Sequence, residues 1–424
     1  MGSASLKLAI ALLALAFACA FVGSTFSAYS SPTANAGSTF ATAASYGTPC
    51  PTTPLAADGF VSGFETGRRG YALGTVTASS TAMSVDGTAG AARTGAYGMK
   101  VATSGTTGYG QYQWNNVPYP SEAVARFAVR LNAQPAGDLT QLFHLSNNGL
   151  NTVQLRYIRS TNRFAAAIRR DGTTAFTVVE GTATLEVGTW HVVEFRYNAG
   201  GATHTADWRV DGTAQPSVST SGTSTTVNQA QFGTNAAETI DAHYDDVLMS
   251  RSAADYPLGD GRVFALRPNG MGTSVNPTHF QNDTGTTLDA TSWQRLDEVP
   301  MADVTDYIAQ TTQNGSSYAE VTLDNTSETC IRAAHATFST HGPSSNQANN
   351  LKLSAFDGAT ESVVRQGNMA ANTTVSRNYA GSLAPASTWT PAAVDGLVLR
   401  WGYGADIAPA QYLDSVVVEI ESPR

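Results

Sequence analysis

Three aspartates that lie close together in the sequence, Asp241, Asp245 and Asp246, are the side chains best suited to hold a metal ion. Calcium prefers several carboxylate and carbonyl oxygens, so this run is a candidate calcium site. Aspartates at the start of an apolar strand also accept hydrogen bonds from backbone amides in turns, and this alternative stays open. No ligand set can be placed residue by residue. We therefore predict no metal site and no cofactor, with calcium as the one cation left open.

A second candidate is the pair of carboxylates Glu419 and Glu421, two residues apart near the C-terminus. Retaining glycosidases hold two carboxyl groups about 5 Å apart, a spacing that alternate residues of one strand provide. The sequence contains no Glu-x-Asp-x-Glu arrangement, however. We interpret Glu419 and Glu421 as part of an exposed strand face.

The histidines give no sign of catalysis. They are scattered, and no His-x-His, His-Glu-x-x-His or Cys/His quartet indicates a zinc site. The Gly-x-Ser-x-Gly elbow of serine hydrolases is also missing from the sequence. We interpret His191, beside Trp190, as a strand residue packed at a sheet. The prediction is a protein without catalytic residues.

Aromatic side chains at Tyr109, Tyr112 and Trp114 could form a sugar-binding surface, because such sites need exposed rings with polar neighbours. Core and cross-strand packing is the favoured interpretation of this stretch. The ligand-binding residues therefore stay unknown. Four Asn-x-Ser/Thr sequons, which matter only in a cell that glycosylates them, begin at Asn282, Asn314, Asn325 and Asn372.

The element that organises the chain is a hairpin within residues 189–215. His191, Val193, Phe195 and Tyr197 share one face of its first strand, because side chains alternate across a strand with period two. A loop of small residues follows, and then a second strand. The dipeptide that follows the second strand, at 211–212, is Asp-Gly, which favours a type I′ turn.

This hairpin, a Trp-His-Val-Val strand followed by one ending in Val-Asp-Gly, resembles the central hairpin of laminin-G-like, concanavalin A-like jelly rolls. Gly63-Phe64-Glu65-Thr66-Gly67 and the Tyr-Asp-Asp-Val run from 244 to 247 resemble the opening and closing strands of the same family. The resemblance implies a β-sandwich, a fold shared by lectins, adhesion modules, glycosidases and virion proteins. It also implies that calcium could bind at a rim of the sandwich.

The rest of the first domain is predicted to consist of strands, since no segment shows a convincing helical period. In 123–131, Ala125, Phe127, Val129 and Leu131 form a core face. A further hairpin turn is expected at Asp171. The bulk of the core is assigned to Phe127, Phe143, Phe195, Tyr197 and Trp208.

A second β-domain is predicted to follow the first. The junction from Tyr256 to Val263, continuing into Leu-Arg-Pro-Asn-Gly, resembles the junction after a laminin-G-like domain in phage and actinobacterial structural proteins. Alternation in the last strand, 411–421, groups Asp414 with Val416, Val418 and Ile420. The predicted fold is all-β: two tandem antiparallel β-sandwiches, at 58–257 and 258–424, the first a laminin-G-like jelly roll and the second jelly-roll-like.

The N-terminus has the pattern of a targeting segment. Lys7 precedes an apolar run of about fifteen residues, shorter than the roughly 20 that a membrane span needs. We interpret residues 1–28 as a secretory signal peptide and 29–57 as a Ser/Thr/Pro-rich linker. An uncleaved membrane anchor is the alternative for the first segment. The predicted localisation is extracellular or at the cell surface.

The state of the three cysteines depends on whether the chain is secreted. Cys19 falls in the predicted signal peptide, which leaves Cys50 and Cys330, and these two could pair in an oxidising compartment. The alternative is that Cys330 is a buried small hydrophobe.

The composition of the chain excludes one class of binding partner. The chain carries a net charge of −9 with no basic run, so nucleic-acid binding, which requires neutralisation of phosphates, is not expected. We predict a non-catalytic secreted or surface structural or adhesive protein whose laminin-G-like domain meets a glycan or a surface protein. Self-assembly into homo-oligomers or fibres is open, because strand edges invite pairing. The alternatives are a phage virion or tail-appendage protein and a jelly-roll polysaccharide-degrading enzyme.

Overall fold

The computed structural model describes twelve stretches of the chain, which are residues 59–67, 82–113, 121–147, 150–170, 173–222, 226–301, 304–312, 315–342, 351–367, 377–385, 388–403 and 411–424. The predicted signal peptide and linker, and with them Cys19 and Cys50, lie outside these residues. So do Trp114, Asp171, Asn314 and Asn372. Within the described residues, no helix has the length and hydropathy that a membrane span requires.

The described residues before 251 form fifteen strands. They are β1 (Phe60–Ser62), β2 (Met83–Asp86), β3 (Gly98–Ala102), β4 (Thr106–Gln113), β5 (Glu122–Leu131), β6 (Thr140–Asn147), β7 (Leu150–Ile158), β8 (Arg163–Arg169), β9 (Phe176–Thr184), β10 (His191–Asn198), β11 (Thr203–Val210), β12 (Thr213–Ala214), β13 (Val218–Ser221), β14 (Gln229–Glu238) and β15 (Asp241–Ser250). The first sheet has the order β12-β11-β10-β5-β15-β3-β2, with β1 on β15 and β13 on β11. The second sheet has the order β4-β14-β6-β7-β8-β9.

Eleven strands follow in the described part of the chain. They are β16 (Gly261–Leu266), β17 (Pro268–Met271), β18 (Phe280–Asn282), β19 (Ile308–Gln310), β20 (Tyr318–Leu323), β21 (Ala333–His341), β22 (Leu351–Phe356), β23 (Glu361–Gly367), β24 (Arg377–Ser382), β25 (Val398–Tyr403) and β26 (Gln411–Pro423). The third sheet has the order β18-β19-β26-β21-β24, with β16 on β26, and the fourth β17-β20-β25-β22-β23. A short helix, α1 (Pro391–Asp395), and three 3-10 turns, at 253–255, 277–279 and 292–295, complete the described elements.

The predicted fold class is confirmed, since the described part of the chain is nearly all β and its antiparallel sheets form sandwiches. The hairpin prediction is also confirmed: β10 pairs with β11, with Phe195 opposite Trp208. Asp211 and Gly212 have φ values of 48° and 74°, the positive values that a type I′ turn requires.

The first core contains the large side chains that the sequence indicated. Phe127, Phe143, Phe195, Tyr197 and Trp208 are all at most 1% exposed. A separate core lies between the third and fourth sheets and includes Phe338, Trp401 and Ile420.

A third group of apolar residues joins the two sandwiches. Val61, Val124 and Leu248 of the first sheet pack with Leu258, Val263 and Ala333. Ion pairs surround this contact. Arg126 of β5 reaches Glu421 of β26 at 2.5 Å, and both side chains are at most 1% exposed.

The last strand departs from strict alternation. A register shift lies opposite its start, between Ser339 and Thr340 of β21. Leu413 and Val416 consequently both enter the second core, whereas Asp414 turns to His341. The predicted grouping of Asp414 with Val416 is therefore wrong, because a bulge changes which side chains share a face.

Candidate functional site

The feature of the molecule that best suits ligand binding is a row of polar side chains across the second sheet. Gln231 of β14 is paired in register with Gln111 on one side and with His144 on the other. His144 is in turn opposite Gln154 of β7. Their neighbours Phe143, Val153, Leu155 and Phe232 fill the core. The row therefore points away from the core, since side chains alternate across a strand.

These outward-facing side chains are nevertheless buried. Gln111 is 7% exposed, Gln154 2%, Gln231 3% and His144 0%. Surface glutamines are ordinarily exposed, so the burial of this row shows that neighbouring atoms cover it. We refer to Gln111, Gln141, His144, Gln154, Arg156 and Gln231 as the outer-face network.

A β-bulge brings Gln141 into this network. Gln141 and His144 are three residues apart, so regular alternation would place them on opposite faces of β6. The pairing of β6 with β7 shifts register between Gln141 and Phe143. The extra residue rotates Gln141 onto the face of His144, and its Nε2 comes within 2.5 Å of the His144 Nδ1.

The hydrogen bonds of the network form a chain in which each side chain donates to the next, from Arg156 to His144. Arg156 Nε can only donate, and it lies 2.6 Å from Gln154 Oε1. The Gln154 amide nitrogen then donates to Gln141 Oε1 at 3.0 Å. The Gln141 amide nitrogen is left to donate to His144 Nδ1. This chain, anchored by an arginine, fixes which tautomer of His144 is present.

His144 is consequently a neutral donor. Because Nδ1 accepts, the ring proton sits on Nε2. Burial lowers the pKa of His144 to about 3, and the interaction of its ring with the Gln231 side chain, which raises the pKa, offsets this shift only partly. The imidazole stays uncharged at neutral pH.

One donor and one acceptor in the network are poorly satisfied. Among the described residues, His144 Nε2 and Gln231 Oε1 are buried and make no hydrogen bond of normal geometry. The Gln231 side chain faces His144 from the paired strand, and its interaction with the ring raises the pKa against the effect of burial. Gln231 cannot turn its oxygen away without cost, because its nitrogen donates to Gln111 Oε1. A buried polar atom without a partner costs about 1–3 kcal/mol. A group that donates and accepts at once, such as a hydroxyl, would satisfy both atoms.

The aspartates that were candidates for calcium binding form hydrogen bonds and ion pairs within the protein. Asp245 accepts hydrogen bonds from the backbone nitrogens of Arg93, at 2.6 Å, and Thr94, at 3.0 Å. Asp246 accepts from the Val263 nitrogen at 2.7 Å and pairs with the Arg93 guanidinium at 2.9 Å. The alternative interpretation, hydrogen bonds to backbone amides, is thus confirmed for both residues.

Asp241 does not join these two carboxylates. It lies four residues before Asp245 on an extended strand, roughly 13 Å away, and bonds Asn132 Nδ2 at 2.7 Å. Nowhere in the described part of the chain do three His, Cys, Asp or Glu side chains converge as metal ligands would.

The interpretation of Glu419 and Glu421 as an exposed face is wrong. Their exposures are 1% and 0%, because the strand that carries them lies against the first sandwich. Glu419 accepts from the backbone nitrogens of Gly63, at 2.8 Å, and Glu65, at 3.1 Å. Glu421 pairs with Arg126 and with Arg332 at 3.4 Å. These contacts exist only because the second sandwich packs on the first, which the pattern of a single strand does not show.

The other predictions on single residues have mixed outcomes. His191 is packed at the sheet, where its Nδ1 lies 2.8 Å from Asp211 and its Nε2 accepts from the Glu186 nitrogen at 3.2 Å. Tyr112 packs on the first core and stacks on Phe60 at 4.3 Å. Tyr109 lies instead near the network, with its ring 6.4 Å from that of His144.

Cys330 is disulfide-bonded, so its interpretation as an unpaired hydrophobe is wrong.

No family model matches the sequence, and no curated protein matches it. Solved structures with a similar fold include the cellulose induced protein Cip1, 14% identical with a TM-score of 0.36, covering 46% of this chain and 97% of that one. The botulinum neurotoxin type G receptor binding domain is 11% identical with a TM-score of 0.33, covering 80% and 84%. The carbohydrate binding module CBM66 from Bacillus subtilis is 10% identical with a TM-score of 0.28, covering 41% and 98%.

These scores are all below 0.5, so none of the three likenesses contributes to a functional assignment. They also identify neither a laminin-G-like domain nor a phage protein. The laminin-G resemblance therefore stays a prediction.

Proposed function

We propose that this chain is a non-catalytic β-sandwich protein, secreted or at the cell surface, that binds a glycan through the outer-face network. The observation that carries the proposal is the open pair of His144 Nε2 and Gln231 Oε1. A sugar hydroxyl donates one hydrogen bond and accepts others, so a single hydroxyl completes both atoms. In so buried a place such bonds are stronger than in water.

The chemistry of the network suits uncharged hydroxyl groups. Four of its six side chains are amides, and His144 is neutral at ordinary pH. The one cation, Arg156, donates its Nε to Gln154. Amides present a donor and an acceptor on one planar group, which matches the alternating donors and acceptors along a sugar ring.

Two observations favour binding over catalysis. With its pKa lowered to about 3, His144 is a weak base and is poorly matched to proton abstraction near neutral pH. In the described residues, the one carboxylate bonded to the network is Glu238, which accepts from the Gln141 backbone nitrogen at 2.9 Å. Glycosidases ordinarily require two carboxyl groups.

A glycan array tests the proposal with the full chain, His144→Phe and Gln231→Leu. The matched control is His204→Phe, since His204 is another buried histidine of the first sandwich whose Nε2 lacks a partner. We expect the full chain and the control to bind the same glycans, and each network variant to bind about tenfold or more weakly, the effect of losing one or two hydrogen bonds.

Two results would overturn the proposal. One is an array on which the full chain binds nothing. The other is unchanged binding by both network variants, which would mean that buried water, rather than a ligand, completes the open pair. Release of oligosaccharides from a bound glycan would contradict the non-catalytic part.

A further inference from the structure

The outer face of the fourth sheet contains a separate depression of about 270 Å³. Tyr318, Lys352, Ser354 and Arg400 line it, together with the turn at residues 315–317. It lies on the second sandwich and shares no residue with the outer-face network. Ligand sites usually begin at about 300 Å³, so this volume suits one small ring rather than a long chain segment.

A glycine forms the floor of the depression. Gly402 lies between Tyr318 of β20 and Lys352 of β22 in the sheet register. A Cβ atom there would stand 2.3 Å from the Ser317 carbonyl oxygen and 3.1 Å from the Tyr318 Cα. The site tolerates no side chain, so a backbone floor separates an aromatic ring from an amine.

The charges around the depression are already matched. Arg400 Nε lies 2.7 Å from Glu320 Oε2, and Lys352 Nζ lies 2.5 Å from Glu361 Oε2. Burial alone would raise the pKa of Glu361, but the hydrogen bonds from Lys352 and Ser354 outweigh it and lower the pKa. Both carboxylates are thus held as partners of the two cations.

Aromatic contacts fix the arginine. Its guanidinium lies 3.9 Å from the Phe356 ring centre and 4.8 Å from that of Tyr318. Cation–π contacts of this kind hold the planar group in place while its outer nitrogens remain donors. The half-buried Tyr318 ring adds apolar surface beside these polar groups.

We propose that this depression is a second binding site, which accepts one uncharged sugar ring or a similar polyol. Lys352 and Arg400 supply donors, Glu361 supplies acceptors, and Tyr318 supplies an apolar surface. An anionic sugar gains little here, because it would have to displace a carboxylate from a cation that it already neutralises. The inference goes beyond the proposed function, since it concerns another sandwich and a stated ligand class.

The test is calorimetric titration of the full chain with neutral hexose oligosaccharides and with uronic-acid oligosaccharides of equal length. The substitution His144→Phe is used to remove binding through the outer-face network. In that background we expect the neutral sugars still to bind, and Tyr318→Ala and Lys352→Met each to weaken binding about tenfold. The matched control is Tyr379→Ala, because Tyr379 also carries an arginine over its ring, Arg365 at 5.6 Å.

The outcomes separate the two proposals. Loss of all binding in His144→Phe, with that variant folded by circular dichroism, overturns the second site and leaves the first standing. Binding that persists in His144→Phe but weakens in both depression variants supports the second site, whatever the fate of the first. Equal or tighter binding of the uronic-acid series overturns the assigned ligand class.

Discussion

Glu421 is the residue whose replacement tests the joint between the sandwiches most severely. It is 0% exposed and stands between two guanidinium groups, Arg126 at 2.5 Å and Arg332 at 3.4 Å. Removing one partner of a buried ion pair costs about 3–5 kcal/mol, because the other charge is left without compensation. Glu421→Leu leaves two such charges, so we expect its free energy of unfolding to fall by at least that amount.

Arg126→Met should cost less than Glu421→Leu, because the Glu421 carboxylate keeps Arg332. The matched control is Glu180→Gln, which breaks the exposed pair between Arg163 and Glu180. Exposed pairs contribute about 0–1 kcal/mol. The measurement is urea unfolding of the three variants followed by circular dichroism. A loss in Glu421→Leu no larger than that in Glu180→Gln would refute the buried, two-partner arrangement.

Three further predictions concern pH and the network. Burial raises the pKa of Glu65 to about 7 and that of Glu419 to about 8, so the folded state binds more protons than the unfolded state. The stability that they contribute is fully present below their ordinary pKa and is lost as pH rises through 7–8. Urea midpoints should therefore fall between about pH 5 and about 8 and level off above that, and the fall should be less steep in Glu419→Gln. An identical slope in that variant contradicts the assignment. Glycan affinity, measured by calorimetric titration, should be constant from about pH 5 to 8, because the pKa of His144 is lowered to about 3. A tenfold change in affinity near pH 6.5 would exclude a neutral imidazole. Arg156→Met should weaken glycan binding about tenfold, because it releases the hydrogen-bond chain that orients His144; unchanged affinity would show that the chain has no orienting role.

Much of the fold follows from local patterns in the sequence. Phe127, Phe195 and Trp208 lie on strands whose apolar residues alternate, so their burial is predicted by period two alone. The Asp211-Gly212 turn is equally local, because two adjacent residues supply the positive φ values.

The contacts between the sandwiches could not be predicted in this way. Arg126 and Glu421 are 295 residues apart in the sequence. Each lies on a strand face that, taken alone, looks like a solvated charged surface. Their burial depends on how one sandwich docks on the other, which strand periodicity does not encode.

The outer-face network was missed for a different reason. Gln141 and His144 have a spacing that puts them on opposite faces of a regular strand, and only the bulge beside Phe143 brings them together. The residue type gives no warning either, because a glutamine does not by itself indicate a functional site. The signal that was available is the placement of Gln111, Gln154 and Gln231 at positions that alternate with core residues.

The most direct test of the central claim is the nitrogen NMR spectrum of the His144 ring during titration with the glycan that binds best on the array. We predict a neutral ring with its proton on Nε2 before addition, and a shift of that Nε2–H resonance as the glycan saturates. A protonated ring, a proton on Nδ1, or an Nε2–H resonance that does not move at saturation would contradict it.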